Sequence, residues 1–135
     1  MLQLIILIGG KVMAYLFVEY PKCTTCKRAK KWLDDREIRY EDRHIVENNP
    51  TFEELKKWIK LSGLETKKFF NTSGNLYKEM NLSKKLKDKE ISEDEQIKLL
   101  ASNGMLVKRP IVVGEDFVLV GFRDESLWEE ALNNK

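Results

Sequence analysis

Tyr20-Pro21-Lys22-Cys23-Thr24-Thr25-Cys26-Lys27-Arg28 carries both cysteines of the chain, in the spacing C-x-x-C. Upstream, Tyr15-Leu16-Phe17-Val18 is a short apolar run rich in β-formers and reads as a buried strand. Downstream, Cys26, Ala29, Trp32 and Leu33 recur at helical spacing, with Lys27, Arg28, Lys30 and Lys31 on the other face. A strand, a turn containing proline, then C-x-x-C at the start of a helix is a way of presenting a redox cysteine. Unpaired N–H groups and the positive dipole end at a helix N-terminus favour thiolate over thiol. Lys22, Lys27 and Arg28 add positive potential, so the pKa of Cys23 is expected to be depressed. Cys23 is then the exposed attacker, and Cys26, one helical turn further in, is placed to resolve a mixed disulfide.

Two other uses of the same spacing carry less weight. A zinc half-site also uses C-x-x-C, but structural zinc takes four ligands, and the chain offers two cysteines and one histidine, His44. A structural disulfide between Cys23 and Cys26 would close only a tiny loop, and nothing else in the chain suggests a secreted scaffold. No metal is expected.

Composition sets the class. With 135 residues, 42% hydrophobic and 34% charged, the chain has the size and balance of one soluble globular domain. The 24 basic and 22 acidic residues leave +2, too even a balance to argue for direct binding to nucleic acid. Two cysteines in a chain rich in lysine and glutamate fit a reducing cytosol. Leu4-Ile5-Ile6-Leu7-Ile8 is apolar but far shorter than the roughly 20 residues of a membrane span, and it lacks the features of a signal peptide. Gly9-Gly10-Lys11-Val12 precedes Met13, and its codons can spell a ribosome-binding site. Residues 1–12 are therefore expected to be an upstream extension, with an extra edge strand as the alternative, and residues 13–135 one domain.

After the first helix, a second strand is expected at about 39–45, ending near His44, which reads as a strand-end group rather than a catalyst. Thr51-Phe52-Glu53-Glu54 is a capping box, and it opens a helix that Gly63 stops. Between Glu65 and Asn103 come a helical turn at 67–70, short helices at 75–80 and 83–87, and a second capping box at Ser92-Glu93-Asp94-Glu95. That last helix is expected to stop at Gly104. The stretch of about 51–104 reads as a helical insert whose lysines, interleaved with acids, form a solvated face. Ile111-Val112-Val113, Gly114-Glu115-Asp116 and Phe117-Val118-Leu119-Val120 form a hairpin pattern. Gly121 breaks it, and Asp124 caps a final helix expected to turn Leu127, Trp128, Ala131 and Leu132 inward. The order β-α-β, helical insert, β-β-α is that of an α/β thioredoxin-like fold with a mixed sheet. In that fold a cis proline faces the redox cysteine, and Pro110 stands at that place.

Cys23-Thr24-Thr25-Cys26-Lys27, Arg109-Pro110-Ile111-Val112-Val113 and Val120-Gly121-Phe122-Arg123-Asp124-Glu125 together resemble the arsenate reductase and Spx family, over nearly the whole chain from Met13 onward. The resemblance implies that Cys23 matches the cysteine that attacks arsenate in glutaredoxin-linked reductases. Arg109 and Arg123 match two arginines that steady oxyanion and thiolate. The site it implies has Cys23, Cys26 and Arg109 as catalytic residues, with Lys22, Thr24, Thr25, Arg109, Pro110 and Arg123 around the substrate. No bound cofactor is implied; glutathione or another thiol would supply electrons, with glutaredoxin or thioredoxin as partner to a monomeric, cytoplasmic protein that contacts no membrane.

Three departures from that pattern stand out. Glu19 replaces a histidine four residues before the nucleophile, Asn71 stands where a third arginine is expected, and Cys26 replaces a serine. An acid near Cys23 is expected to raise its pKa and repel an anionic substrate. Together the departures favour a dithiol cycling through an intramolecular disulfide over an arsenate reductase. The competing class is a regulator like Spx, which binds the RNA polymerase α-subunit and uses C-x-x-C as a redox switch. Such regulators carry a basic tail beyond the last helix, and this sequence ends at Asn133-Asn134-Lys135.

Overall fold

The computed structural model of the chain describes residues 6–8, 11–13 and 15–133. They fall into two compact units, residues 1–43 with 109–135, and residues 44–108. The insert expected at about 51–104 lies inside the second.

In the first unit, β1 (Ile6–Ile8) and β2 (Lys11–Met13) pair antiparallel as a ribbon of their own, with Leu7 opposite Val12. Much of the expected extension, 1–12, lies outside the described residues. Its described part forms this separate ribbon and does not extend an edge of the main sheet. That sheet has four strands: β3 (Tyr15–Glu19), β4 (Tyr40–His44), β5 (Ile111–Val113) and β6 (Val118–Val120), in the order β4-β3-β5-β6. β5 runs antiparallel to both β3 and β6, with Phe17 opposite Val112 and Val112 opposite Leu119, and the sheet is mixed.

Between β3 and β4 runs α1 (Thr24–Asp35); α6 (Glu125–Asn133) closes the chain. Because strand side chains alternate, Phe17 and Glu19 share one face of β3. On that face Phe17 and Val112 meet Ala29, Trp32 and Leu33 of α1 and Trp128 and Leu132 of α6, with Phe122 between them. Trp128 stands edge-on to Phe122 at 4.8 Å and to Trp32 at 5.7 Å, pairs worth about 0.5–1.5 kcal/mol each beyond the area they bury. The indole Nε1–H of Trp128 donates to the Gly121 carbonyl at 3.1 Å, and the Gly121 N–H donates to the Pro110 carbonyl at 2.7 Å. Gly121 does this with φ at 79°, a left-handed conformation that favours glycine. The final helix thus anchors the loop carrying Arg109 and Pro110, whose peptide bond is cis as the fold expectation required.

One residue of α6 differs from its expected place. Leu127 is 54% exposed, whereas Trp128 and Leu132 are buried. The inward stripe runs through 128 and 132, and Leu127, one position back, is turned about 100° away from Trp128.

In the second unit, α2 (Phe52–Ser62) starts at the Thr51/Glu54 capping box and ends at Gly63, which is left-handed at φ 71°. A 3-10 turn (Thr66–Phe69), α3 (Asn75–Glu79) and α4 (Leu82–Lys87) lead to α5 (Glu93–Ser102), opened by the Ser92/Glu95 capping box and packed on α2. Gly104 does not stop α5 by a left-handed cap: Asn103 ends the helix in an extended conformation and Gly104 begins a 3-10 turn (Gly104–Leu106). A Cβ on Gly104 would lie 2.1 Å from the Ile45 carbonyl oxygen, so close backbone approach accounts for this glycine.

Candidate functional site

Cys23 is the N-cap of α1. Its backbone is extended (φ −86°, ψ 123°), its N–H donates to the Tyr20 carbonyl at 2.9 Å, and its sulfur accepts the backbone N–H of Cys26 at 3.4 Å. Burial pushes the Cys23 thiol up. The Cys26 N–H, the Cys26 thiol and the Arg109 guanidinium outweigh that and bring it below the ordinary thiol value. Arg109 in turn lies over the Tyr20 ring, its guanidinium carbon 5.1 Å from the centroid, a cation–π contact that holds the charge beside Cys23. Both cysteines are free thiols.

Cys26 has the opposite character. It is fully buried on the inner face of α1, and burial pushes its thiol up to about 12. The backbone N–H of Tyr20 donates to its sulfur and works against this; the neighbouring Cys23 and Glu19 charges add to it. Three residues apart, one thiol is poised to ionise and the other to stay protonated. The pair can therefore act in sequence: thiolate attack by Cys23 on a sulfur or oxyanion centre, then displacement by Cys26.

Glu19 behaves differently from its expected role. Its carboxyl is 3% exposed and raised to about 7, first by burial and then by the hydrogen bond and charge of Asp42, with Lys30 opposing. Lys30 Nζ donates to Glu19 Oε2 at 3.4 Å and to Asp42 Oδ2 at 2.7 Å. Its charge acts on Cys26, while Cys23 is lowered and not raised. The reason is strand alternation, which turns Glu19 with Phe17 toward α1, where it meets Lys30, one turn beyond Cys26.

Among the other expected site residues, Lys22, Thr24, Lys27 and Arg28 are exposed, Thr25 half-buried and Pro110 buried. Arg28 lies over the Phe122 ring at 5.4 Å, so the cation acting on Cys23 is Arg109, not this cluster. Arg123 is exposed on the turn between β6 and α6. In the second unit, Asn71 organises its own loop: its N–H donates to the Leu106 carbonyl at 2.8 Å and its side-chain oxygen accepts from Ser73 at 3.2 Å. His44 ends β4, where its Nδ1 accepts the N–H groups of Val46 and Glu47, each at 3.1 Å, as a strand-end cap. Tyr20, Lys30 and Asp42 were not anticipated around the cysteines. The available signals were the acid ending the apolar run 15–19 and the i, i+4 relation of Cys26 to Lys30. Among the described residues no three His, Cys, Asp or Glu side chains gather as a metal site requires, and no helix is long and apolar enough to cross a membrane.

The model of the ArsC family matches residues 18–129. The chain is 50% identical over 117 residues to the uncharacterized protein YusI of Bacillus subtilis, spanning 87% of this chain and 98% of that one. It is 30% identical over 105 residues to the global transcriptional regulator Spx 2 of Bacillus anthracis, spanning 78% and 77%. Among solved structures, a Bacteroides fragilis protein described as ArsC family related superposes with a TM-score of 0.82 at 61% identity, over 87% of this chain and 97% of that one. The arsenate reductase from Vibrio cholerae superposes with a TM-score of 0.76 at 29% identity, over 87% and 97%.

Proposed function

The chain belongs to the ArsC family, and from that premise we propose that it is a thiol–disulfide oxidoreductase in which Cys23 attacks and Cys26 resolves. The observation that carries it is the asymmetry of the pair: Cys23 is lowered beside Arg109, whereas Cys26 is buried and pushed up to about 12. A nucleophile whose thiol is shifted toward thiolate and a resolving thiol that stays protonated until needed are what an ordered two-step exchange uses.

The substrate class is a disulfide, with glutathione, glutaredoxin or thioredoxin returning the electrons in the cytosol to a monomeric enzyme with no bound cofactor. Arg109 steadies the Cys23 thiolate, Lys22, Thr24, Thr25 and Pro110 frame the incoming sulfur, and Arg123 adds charge from the last turn. Arsenate is a poor substrate, because Asn71 supplies no cation where the resemblance calls for one. Trapping tests this. Cys26→Ser should accumulate mixed disulfides on Cys23, identified by mass spectrometry; recovery of no adducts, or of adducts on other residues, would count against it.

A second reading is favoured by one finding, the likeness to Spx 2, a transcriptional regulator. In it the same dithiol is a switch that governs binding to the RNA polymerase α-subunit, with no direct contact to nucleic acid. Redox-dependent retention of RNA polymerase on the immobilised protein would favour the regulator, and multiple turnover with a disulfide substrate the enzyme.

A further inference from the structure

Glu19 is a buried acid that the two-cysteine scheme does not use. Strand alternation puts it on the face of β3 covered by α1, and it meets that helix at Lys30, 3.4 Å from its carboxylate. Lys30 lies one turn beyond Cys26 on the same helical face. The sulfur of Cys26 accepts the backbone N–H of Tyr20, the residue next to Glu19. The carboxyl and the thiol therefore share one buried corner. From β4, Asp42 shares a hydrogen bond with Glu19, and the Tyr40 phenol feels its charge. On the β5 side the register opposite Val18 is the apolar Ile111, and Arg109 is directed at Cys23 and Tyr20. Glu19 is 3% exposed, but the side chains of Lys30 and Asp42 are 42% and 39% exposed, so the cluster runs from the buried thiol to solvent.

We propose that Glu19 is the proton acceptor for Cys26 in the resolving step, with Asp42 and Lys30 connecting its carboxyl to solvent. This rests on the dithiol function proposed above. In the first step the Cys23 thiolate attacks a disulfide RSSR, forming Cys23–S–SR and releasing RS⁻. In the second, the Cys26 S–H gives its proton to the Glu19 carboxylate, and the thiolate so formed attacks the Cys23 sulfur. The Cys23–SR bond breaks and a second RS⁻ leaves. RSSR has gained two electrons and the cysteine pair has lost two. The proton passes from Glu19 through the shared Asp42 hydrogen bond to water. A thiol pushed up to about 12 supplies little thiolate at neutral pH, and a carboxyl near 7 is matched to accept its proton there.

The test uses the reduced full chain and 5,5′-dithiobis(2-nitrobenzoate), whose two thiol leaving groups report the two steps separately. In the wild type the second release should rise with pH through an inflection near 7. Glu19→Gln should leave the first release unchanged, slow the second about a hundredfold and abolish the inflection. Burial, the larger cause of the Glu19 shift, remains in Asp42→Asn, a change at a part-exposed side chain, but the variant removes the charge that adds to it and leaves Lys30 in place, so the inflection should move to lower pH. An unchanged second phase in Glu19→Gln, or an unmoved inflection in Asp42→Asn, overturns the proposal while the dithiol function stands. A wild type that stops after one release overturns the dithiol function, and this proposal with it.

Discussion

The backbone N–H of Cys26 points at the sulfur of Cys23, 3.4 Å away, so the residue proposed to resolve the disulfide also stabilises the thiolate of its partner. The contact exists because Cys23 is an N-cap and Cys26 is its N3 residue, the position whose orphan donor an N-cap side chain ordinarily accepts. A sulfur takes the place that a serine or aspartate oxygen usually fills.

Alkylation should therefore separate the two thiols. At about pH 6, iodoacetamide should label Cys23 and leave Cys26 unmodified, since one thiol is lowered and the other is pushed up to about 12. Peptide mapping reads the result; equal or reversed labelling would contradict the assignment of roles.

Arg109 acts on Cys23 through both a hydrogen bond and its charge. Arg109→Ala should raise the Cys23 pKa, and the lost thiolate is partly offset by the greater nucleophilicity of a more basic sulfur. The first exchange step near neutral pH should slow about three- to tenfold. Ultraviolet titration of the thiolate is the measurement, and an unchanged titration curve would remove Arg109 from the site.

Glu19 should make stability depend on pH. Its folded value of about 7 lies above the ordinary 4.5, so between these values the folded protein holds a proton that the unfolded chain has lost. Stability therefore falls as pH rises through this window; the cost is absent below it and complete above it. It is on the order of 2–3 kcal/mol. Glu19→Gln should match the wild type near pH 4 and exceed it at about pH 8, a gap readable in chemical denaturation at the two pH values. A wild type as stable as the variant at the higher pH would show that Glu19 is not held neutral.

Gly104→Ala tests the close approach in the second unit. The new Cβ would fall 2.1 Å from the Ile45 carbonyl oxygen, and a backbone atom cannot swing aside as a side chain can. The expected loss is about 1–3 kcal/mol. An unchanged midpoint in urea would mean that the backbone there gives way freely.

Arsenate offers a separate check. Asn71→Arg should increase arsenate turnover, measured with glutathione and glutaredoxin supplied, if the missing cation is the limit. Efficient turnover by the unaltered chain would show that this departure does not matter.

What the amino-acid order determined by itself was everything carried by near neighbours. The C-x-x-C at a helix start, the capping boxes at Thr51 and Ser92, the hairpin around Gly114 and the left-handed Gly63 are local, because each depends on atoms within a few residues. Local reasoning failed where a residue's partner lies elsewhere in the chain. Leu127 fits an apolar stripe yet is exposed, because the Trp128 contacts with Phe122 and Trp32 set the rotation of its helix. Gly104 looked like a helix stop, and Ile45 explains it instead. The active chemistry was decided the same way. Lys22, Lys27 and Arg28 are adjacent to Cys23 in sequence, yet they are exposed and the charge that reaches the thiol is Arg109, brought there by the pairing of β3 with β5. Glu19 is nearer to Cys23 along the chain but acts on Cys26, because a strand sends alternate side chains to opposite faces and only the packed helix decides what they meet.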